Sequence, residues 1–255
     1  TLLSRVAGAA MLCYSMRHTG GKIRMDFLHE NKLNMKMVLQ ICGFGVPMGM
    51  ENALFQFGKV MLASLVSSLG TSAVAAYAIA NKITSFTYIP GIAIGMGVPA
   101  IVGQCMGAGE YTQAKKNAYR LIGIEYIILL PIALILTVFA PQITSWFNLS
   151  PTALELSVQM EYINNFMIWI HPFAFMILNV FRAASDVRFP MVISILTMFI
   201  FRIGLSYLFV LAFDMGVVGV YYAMVIDWVV RAAIYSVRFF TEKWIRVYKH
   251  SLQRS

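Results

Sequence analysis

The sequence predicts an all-α polytopic membrane protein, a bundle of transmembrane helices, and three observations carry that reading. Of its 255 residues, 59% are hydrophobic and only 12% charged, whereas soluble domains carry roughly 45–50% apolar and about 25% charged residues. Six apolar stretches long enough to cross a membrane recur along the chain, given a hydrocarbon core about 30 Å thick. Almost every Lys and Arg is confined to alternate gaps between those stretches. In lipid every backbone polar group needs an internal partner, and helices supply it within one segment.

The elements follow in order. Thr1 to Met16 is apolar but too short to span at about 1.5 Å per residue, and it lacks the basic start of a signal peptide. It reads as the end of a truncated transmembrane helix, which makes the chain the C-terminal part of something larger. Residues 17–34 form a basic cytoplasmic linker, 35–239 a six-helix transmembrane lobe, and 240–255 a basic tail. Within the lobe the expected spans are Met35 to Leu69, Ser72 to Met106, Ala118 to Ala140, Leu154 to Ala184, Met191 to Phe213 and Val217 to Phe239.

Orientation comes from the cations, which collect on the cytoplasmic side of short loops. One side holds Arg17, Lys22, Arg24, Lys32 and Lys36, then Lys115, Lys116 and Arg120, then Arg182 and Arg188, then Arg238 and the tail. The turns on the other side, near Ser67–Ser72, Pro141–Thr152 and Ala212–Gly216, contain neither Lys nor Arg. A multi-pass protein of the plasma (inner) membrane with a cytoplasmic C-terminus is predicted. The net charge of +9 is then a topology signal, and the implied partner is the lipid bilayer, not nucleic acid. In the tail, Phe240, Trp244, Val247 and Tyr248 share one helical face opposite Lys243, Arg246 and Lys249. That segment either lies in the headgroup layer or forms a solvated end of the last helix.

Cys13, Cys42 and Cys105 are odd in number and lack metal-ligand spacing, which excludes a disulfide framework. Asn148-Leu149-Ser150 matches a glycosylation sequon, but Pro151 follows it. No zinc-protease, nucleophile-elbow or P-loop pattern is present, so neither an enzyme nor a cofactor is expected.

The first two spans run well beyond the core thickness, and their prolines predict helix kinks. Pro47 lies among Gly43, Gly45 and Gly49; Pro90 and Pro99 lie among Gly91, Gly95 and Gly97. Each proline removes one helical hydrogen bond and clashes with the preceding turn. The small-residue pairs Gly45/Gly49, Gly91/Gly95 and Gly103/Gly107 allow close helix packing, which is the expected role of Gly103 and Gly107.

Ionisable residues inside apolar runs are the functional candidates, because burying charge in lipid is costly. Glu51 stands near mid-span one turn past Pro47, with Asn52 and Gln56 close by on the same helix. Such a carboxylate is suited to binding and releasing H⁺ or Na⁺, or to holding a cationic substrate. Glu125, Glu161 and Arg202 complete the set with Asp227 and Arg231, four residues apart and expected to neutralise each other. His171 is expected to be a hydrogen-bonded interior residue. Met48, Met50, Phe55, Tyr77 and Tyr88 lie along the first two spans and are candidates for a cavity that takes cationic amphiphilic small molecules.

Several stretches resemble the multidrug and toxic compound extrusion (MATE) antiporters. Gly45-Val46-Pro47-Met48-Gly49-Met50-Glu51-Asn52 with Phe55-Gln56-Phe57-Gly58-Lys59 is similar to their seventh helix, and Gly70-Thr71 with Pro90-Gly91-Ile92-Ala93-Ile94-Gly95 to their eighth. Val102-Gly103-Gln104-Cys105-Met106-Gly107-Ala108-Gly109 resembles the connection that follows. Arg182-Ala183-Ala184-Ser185-Asp186-Val187-Arg188-Phe189, Arg202, and Gly216-Val217-Val218-Gly219-Val220 with Asp227-Trp228 and Arg231 resemble the last three helices. The resemblance implies one six-helix lobe of a twelve-helix transporter, the partner being an N-terminal lobe of the same protein. It implies export of organic cations in exchange for H⁺ or Na⁺, and it adds Asp186 to Glu51 as a coupling or Na⁺ site. Ser185-Asp186 stands where the family usually has Gly-Asp. A lipid-linked oligosaccharide flippase of the same superfamily and a non-transporting membrane scaffold are the alternative readings.

Overall fold

The computed structural model describes residues 5–11, 14 and 35–252, and these are helical apart from short turns. The chain divides into two units, Thr1–Cys42 and Gly43–Ser255. In the first, residues 5–11 are helical; the expected linker 17–34 lies outside the described residues. Helix α1, Met35–Ser67, begins in the first unit and runs into the second.

The second unit continues with α2 (Thr71–Gly107), α3 (Tyr111–Val138), the short α4 (Ala140–Ser145) and α5 (Pro151–Phe166). Beyond α5 the chain tightens into a 3₁₀ turn, Met167–Ile170, then loosens into a π turn, Pro172–Met176, before α6 (Ile177–Ala183). Helix α7 (Arg188–Thr197) passes through a second π segment, Met198–Gly204, into α8 (Leu205–Leu211); α9 (Gly216–Phe240) and α10 (Lys243–Leu252) close the chain. Among the described residues four helical stretches are long and apolar enough to cross a membrane, and a fifth results if the pair Pro151–Ile170 and Pro172–Ala183, bent by 60°, is one span. Helix α1 has 33 residues but falls short on apolarity, because Glu51, Asn52, Gln56 and Lys59 dilute it.

Pro47 lies inside α1, and Pro90 and Pro99 inside α2; a 60° break falls at His171–Pro172. There Pro172 lacks an N–H, and the change of helix pitch frees carbonyls that need other donors. The Tyr126 hydroxyl of α3 donates to the Trp169 carbonyl. Ser150, the third residue of the sequon, is the N-cap of α5, its hydroxyl accepting from the Ala153 N–H at 3.3 Å, with Pro151 as the first helical residue.

The core gathers Leu62, Leu65 and Val66 of α1, Ala76 and Ala80 of α2, Leu129 of α3, and Tyr221 and Trp228 of α9. A second cluster joins Val98, Val102 and Met106 to Phe181, Tyr235, Phe239 and Trp244. Trp244 seats the tail on the bundle: it is fully buried, stacks on Phe239 at 5.9 Å, and donates from Nε1 to the Phe239 carbonyl. Phe240, expected on the same face, is exposed.

Candidate functional site

Helix α1 delivers Glu51 to α6, where Arg182 Nη2 donates to Glu51 Oε2 at 3.1 Å. The carboxylate is 7% exposed, so this is a largely desolvated, charge-assisted contact. Arg182 Nη1 also reaches Asn179 Oδ1 at 3.5 Å. Asn179 can press against α2 because Gly95 has no side chain; a Cβ there would stand 2.7 Å from Asn179 Nδ2. The mid-span carboxylate picked out from the sequence is an arginine-paired one. Asn52 and Gln56 do not join it. Both are exposed, and Asn52 Nδ2 donates to the Met48 carbonyl of its own helix.

Asp186 is held separately. Arg238 Nε donates to Asp186 Oδ2 at 2.7 Å, and the guanidinium lies 4.0 Å from the Phe189 ring centre. Glu51 and Asp186 thus form two arginine pairs and not one cation site. No group of three His, Cys, Asp or Glu side chains is placed to hold a metal ion among the described residues. An arginine already bonded to each carboxylate supplies the charge that Na⁺ would, so the geometry fits Na⁺ poorly at either residue.

The aromatic and methionine candidates scatter. Met50 is exposed and Met48 half-buried. Phe55 carries Lys59 Nζ at 5.1 Å and the Arg202 guanidinium at 5.6 Å over its ring. Tyr77 meets Tyr221 edge-on at 6.1 Å, and Tyr88 is buried against His171 at 4.4 Å. A cavity of about 950 Å³ opens elsewhere, lined by residues that include Leu130, Leu134, Phe166, Trp169 and Tyr222.

Glu125, Glu161, His171, Arg202, Asp227 and Arg231, each named from the sequence, are buried in a polar seam inside the bundle. His171 Nδ1 and Glu125 Oε1 are 2.9 Å apart, both buried, and Gly91 makes room for them: a Cβ there would lie 2.7 Å from Glu125 Oε1. Tyr88 donates to Asn164 Oδ1 at 2.7 Å. Asp227 takes Arg231 Nη2 at 3.0 Å, as the four-residue spacing predicts, and Arg202 at 3.7 Å. Glu161 is buried with neither oxygen hydrogen-bonded. One signal could have found this seam: Ser157, Glu161 and Asn164 recur at one-turn intervals on an otherwise apolar helix.

The model of the MatE family matches residues 47–208. The chain belongs to the MatE family. Among its relatives are the probable multidrug resistance protein YoeA of Bacillus subtilis (26% identical over 197 residues, 76% of this chain and 42% of that protein) and the probable multidrug resistance protein NorM of Thermotoga maritima (23% over 250 residues, 96% and 52%). The solved structure of a MATE protein in the bent conformation superposes with a TM-score of 0.86 at 19% identity, covering 98% of this chain and 55% of that one. The fold is the MATE fold, and the chain spans about half the length of the curated relatives it matches.

Proposed function

We propose that this MatE chain is the C-terminal lobe of a secondary transporter that exports organic cations and drugs in exchange for H⁺ or Na⁺ by alternating access. The observation that carries the proposal is Glu51, a buried carboxylate held by a single arginine contact on a helix whose neighbouring residues are exposed. Beside it on α1, Met50, Asn52, Gln56 and Phe57 face away from the bundle. This mixed polar, aromatic and thioether surface suits amphiphilic cations facing a second lobe. A cationic substrate competes with Arg182 for the Glu51 carboxylate, and alternation between the two partners couples binding to movement of α1 against α6. The names of YoeA and NorM, both probable multidrug resistance proteins, support the same substrate class. The Lys- and Arg-rich gaps support a cytoplasmic C-terminus.

The test is ethidium efflux from cells expressing the complete protein, with tetraphenylphosphonium as competitor. Glu51→Gln keeps the shape and removes the charge, so efflux drops by about tenfold or more at unchanged expression, the order of one charge-assisted contact. Normal efflux from that variant, or selective binding of an anionic lipid-linked sugar with no response to either cation, overturns the proposal.

A further inference from the structure

The first turns of α3 gather hydrogen-bond donors on one face. Thr112, Lys115, Lys116, Tyr119 and Arg120 recur at three- and four-residue intervals, the spacing that aligns side chains along a helix. Together they line an open groove of about 510 Å³ whose lining includes no carboxylate. Tyr119 is held there by an edge-on contact with Phe239, the ring centres 5.2 Å apart.

The charge on this face is only partly balanced. Lys115 is paired with Glu242. Lys116 and Arg120 are exposed and one turn apart, and neither they nor Glu110, just ahead of the helix, make an ion pair among the described residues. Two like charges so close repel, and an anion between them relieves the repulsion. The donors of arginine and lysine suit phosphate oxygens.

The same face then continues as a hydrocarbon surface. Gly123 follows, with nothing within 4 Å of an added Cβ, and Ile124 and Ile127 are 44% and 74% exposed. At 3.6 residues per turn Ile127 comes round into line with Lys116 and Arg120, about 10 Å further along the axis than Arg120. The hydrocarbon of one leaflet is about 15 Å deep. A phospholipid seated on the two cations therefore lays a chain over Gly123 and Ile127, whereas a free phosphate would leave that surface bare. The tail does not offer the same combination: α10 turns Trp244 and Ile245 into the bundle, so much of its apolar face is already covered.

We infer that this face of α3 is a binding site for an anionic glycerophospholipid. Lys116 and Arg120 hold the phosphodiester, Thr112 and Tyr119 offer hydroxyls to the headgroup, and an acyl chain runs along Gly123, Ile124 and Ile127. Basic recesses at the end of a transmembrane helix have the chemistry that such headgroups require. The bound lipid supplies the negative charge that Glu242 gives to Lys115 alone. The site stands whatever substrate the complete protein carries.

The experiment is native mass spectrometry of the complete protein in detergent, titrated with dioleoylphosphatidylglycerol and, separately, with zwitterionic dioleoylphosphatidylcholine. Wild type takes up the anionic lipid saturably and roughly tenfold more tightly than the zwitterionic one. Lys116→Gln and Arg120→Gln each weaken that binding about fivefold, the worth of one cation near the membrane surface, and together they weaken it roughly twentyfold. Arg188→Gln, which removes an exposed cation at the start of α7, leaves it unaltered. Should the double variant fail to emerge as a single folded species, the two single variants decide. Equal affinity for the two lipids, or a loss in Arg188→Gln equal to that in the α3 variants, overturns the site. Glycerophosphoglycerol, the same headgroup without chains, does not displace the lipid at equal concentration; displacement would assign the groove to a free phosphate ester and overturn the lipid.

Discussion

Ser185 is the residue where local backbone and sequence disagree most informatively. Its φ is +60°, the left-handed region in which a Cβ crowds the backbone and glycine does not. It follows α6 and precedes Asp186, whose N–H turns back to the Phe181 carbonyl at 2.9 Å. That is the local closure of a helix C-terminus. The glycine usual before this aspartate in the family therefore has a conformational reason, and serine sits there at a cost. Ser185→Gly should stabilise the protein by about 0.5–1 kcal/mol, read as a higher thermal unfolding midpoint in detergent; a fall in the midpoint would show that the serine hydroxyl outweighs the backbone. Glu51 teaches a complementary point. Its burial was legible from its place in an apolar run, but its partner Arg182 is 131 positions away. No spacing rule connects residues on different helices, so the sequence could not name that partner.

At the scale of elements, glycine and proline separate by what stands opposite them. Gly91 and Gly95 of α2 are contact glycines, facing Glu125 and Asn179, whereas Gly97, Gly103 and Gly107 have no neighbour within 4 Å of an added Cβ among the described residues. The sequence offered Gly91, Gly95, Gly103 and Gly107 as packing positions, and Gly103 and Gly107 as the surest. Period alone identifies a stripe; only the facing helix decides whether the stripe is used. Gly91→Ala should destabilise by about 1–3 kcal/mol, because the Glu125 end it strikes is fixed by His171. Gly103→Ala should be neutral, or stabilising by up to about 1 kcal/mol through helix propensity. Thermal unfolding of the two variants side by side checks this, and equal losses would refute it. The prolines follow the same logic. A ring predicts where a hydrogen bond is missing, but not which neighbour replaces it. At Pro172 the chain breaks and Tyr126 supplies a donor to the Trp169 carbonyl; at Pro47, Pro90 and Pro99 the helix continues.

For the whole molecule, the charge asymmetry read from the sequence reappears as a meeting of cations and their partners. Lys115 at the start of α3 pairs with Glu242 after α9, and Lys249 of α10 lies 4.4 Å from the ring centre of Tyr111. These contacts tie the tail to the bundle around the anchor Trp244. The hydrogen bond from Lys115 holds the Glu242 carboxyl below its ordinary range. A depressed carboxyl contributes stability that is present above its unfolded pKa and is lost as pH falls through its folded one. The pair is exposed, so the effect is small and screened by salt. Hydrogen exchange in residues 243–252 should stay protected near neutral pH and rise below about pH 4, with Glu242→Gln showing the higher rate at neutral pH already. Protection unaffected by acid or by the variant would assign the docking to Trp244 alone. The all-helical class was legible because lipid leaves few alternatives. The members of the polar interior were legible but their pairing across helices was not, because Glu125–His171 and Tyr88–Asn164 join residues 46 and 76 positions apart.

The break at His171–Pro172 also gives the molecule an optical gauge. Trp169 stands in the 3₁₀ turn with its indole 59% exposed, while Trp228 and Trp244 are 5% and 0% exposed and Trp146 is 77% exposed in a distant turn. With Trp146 replaced by phenylalanine, the one remaining outward-facing indole would be at the bend. Its emission colour and its quenching by brominated acyl chains would then follow the straightening of that helix in real time, without a label.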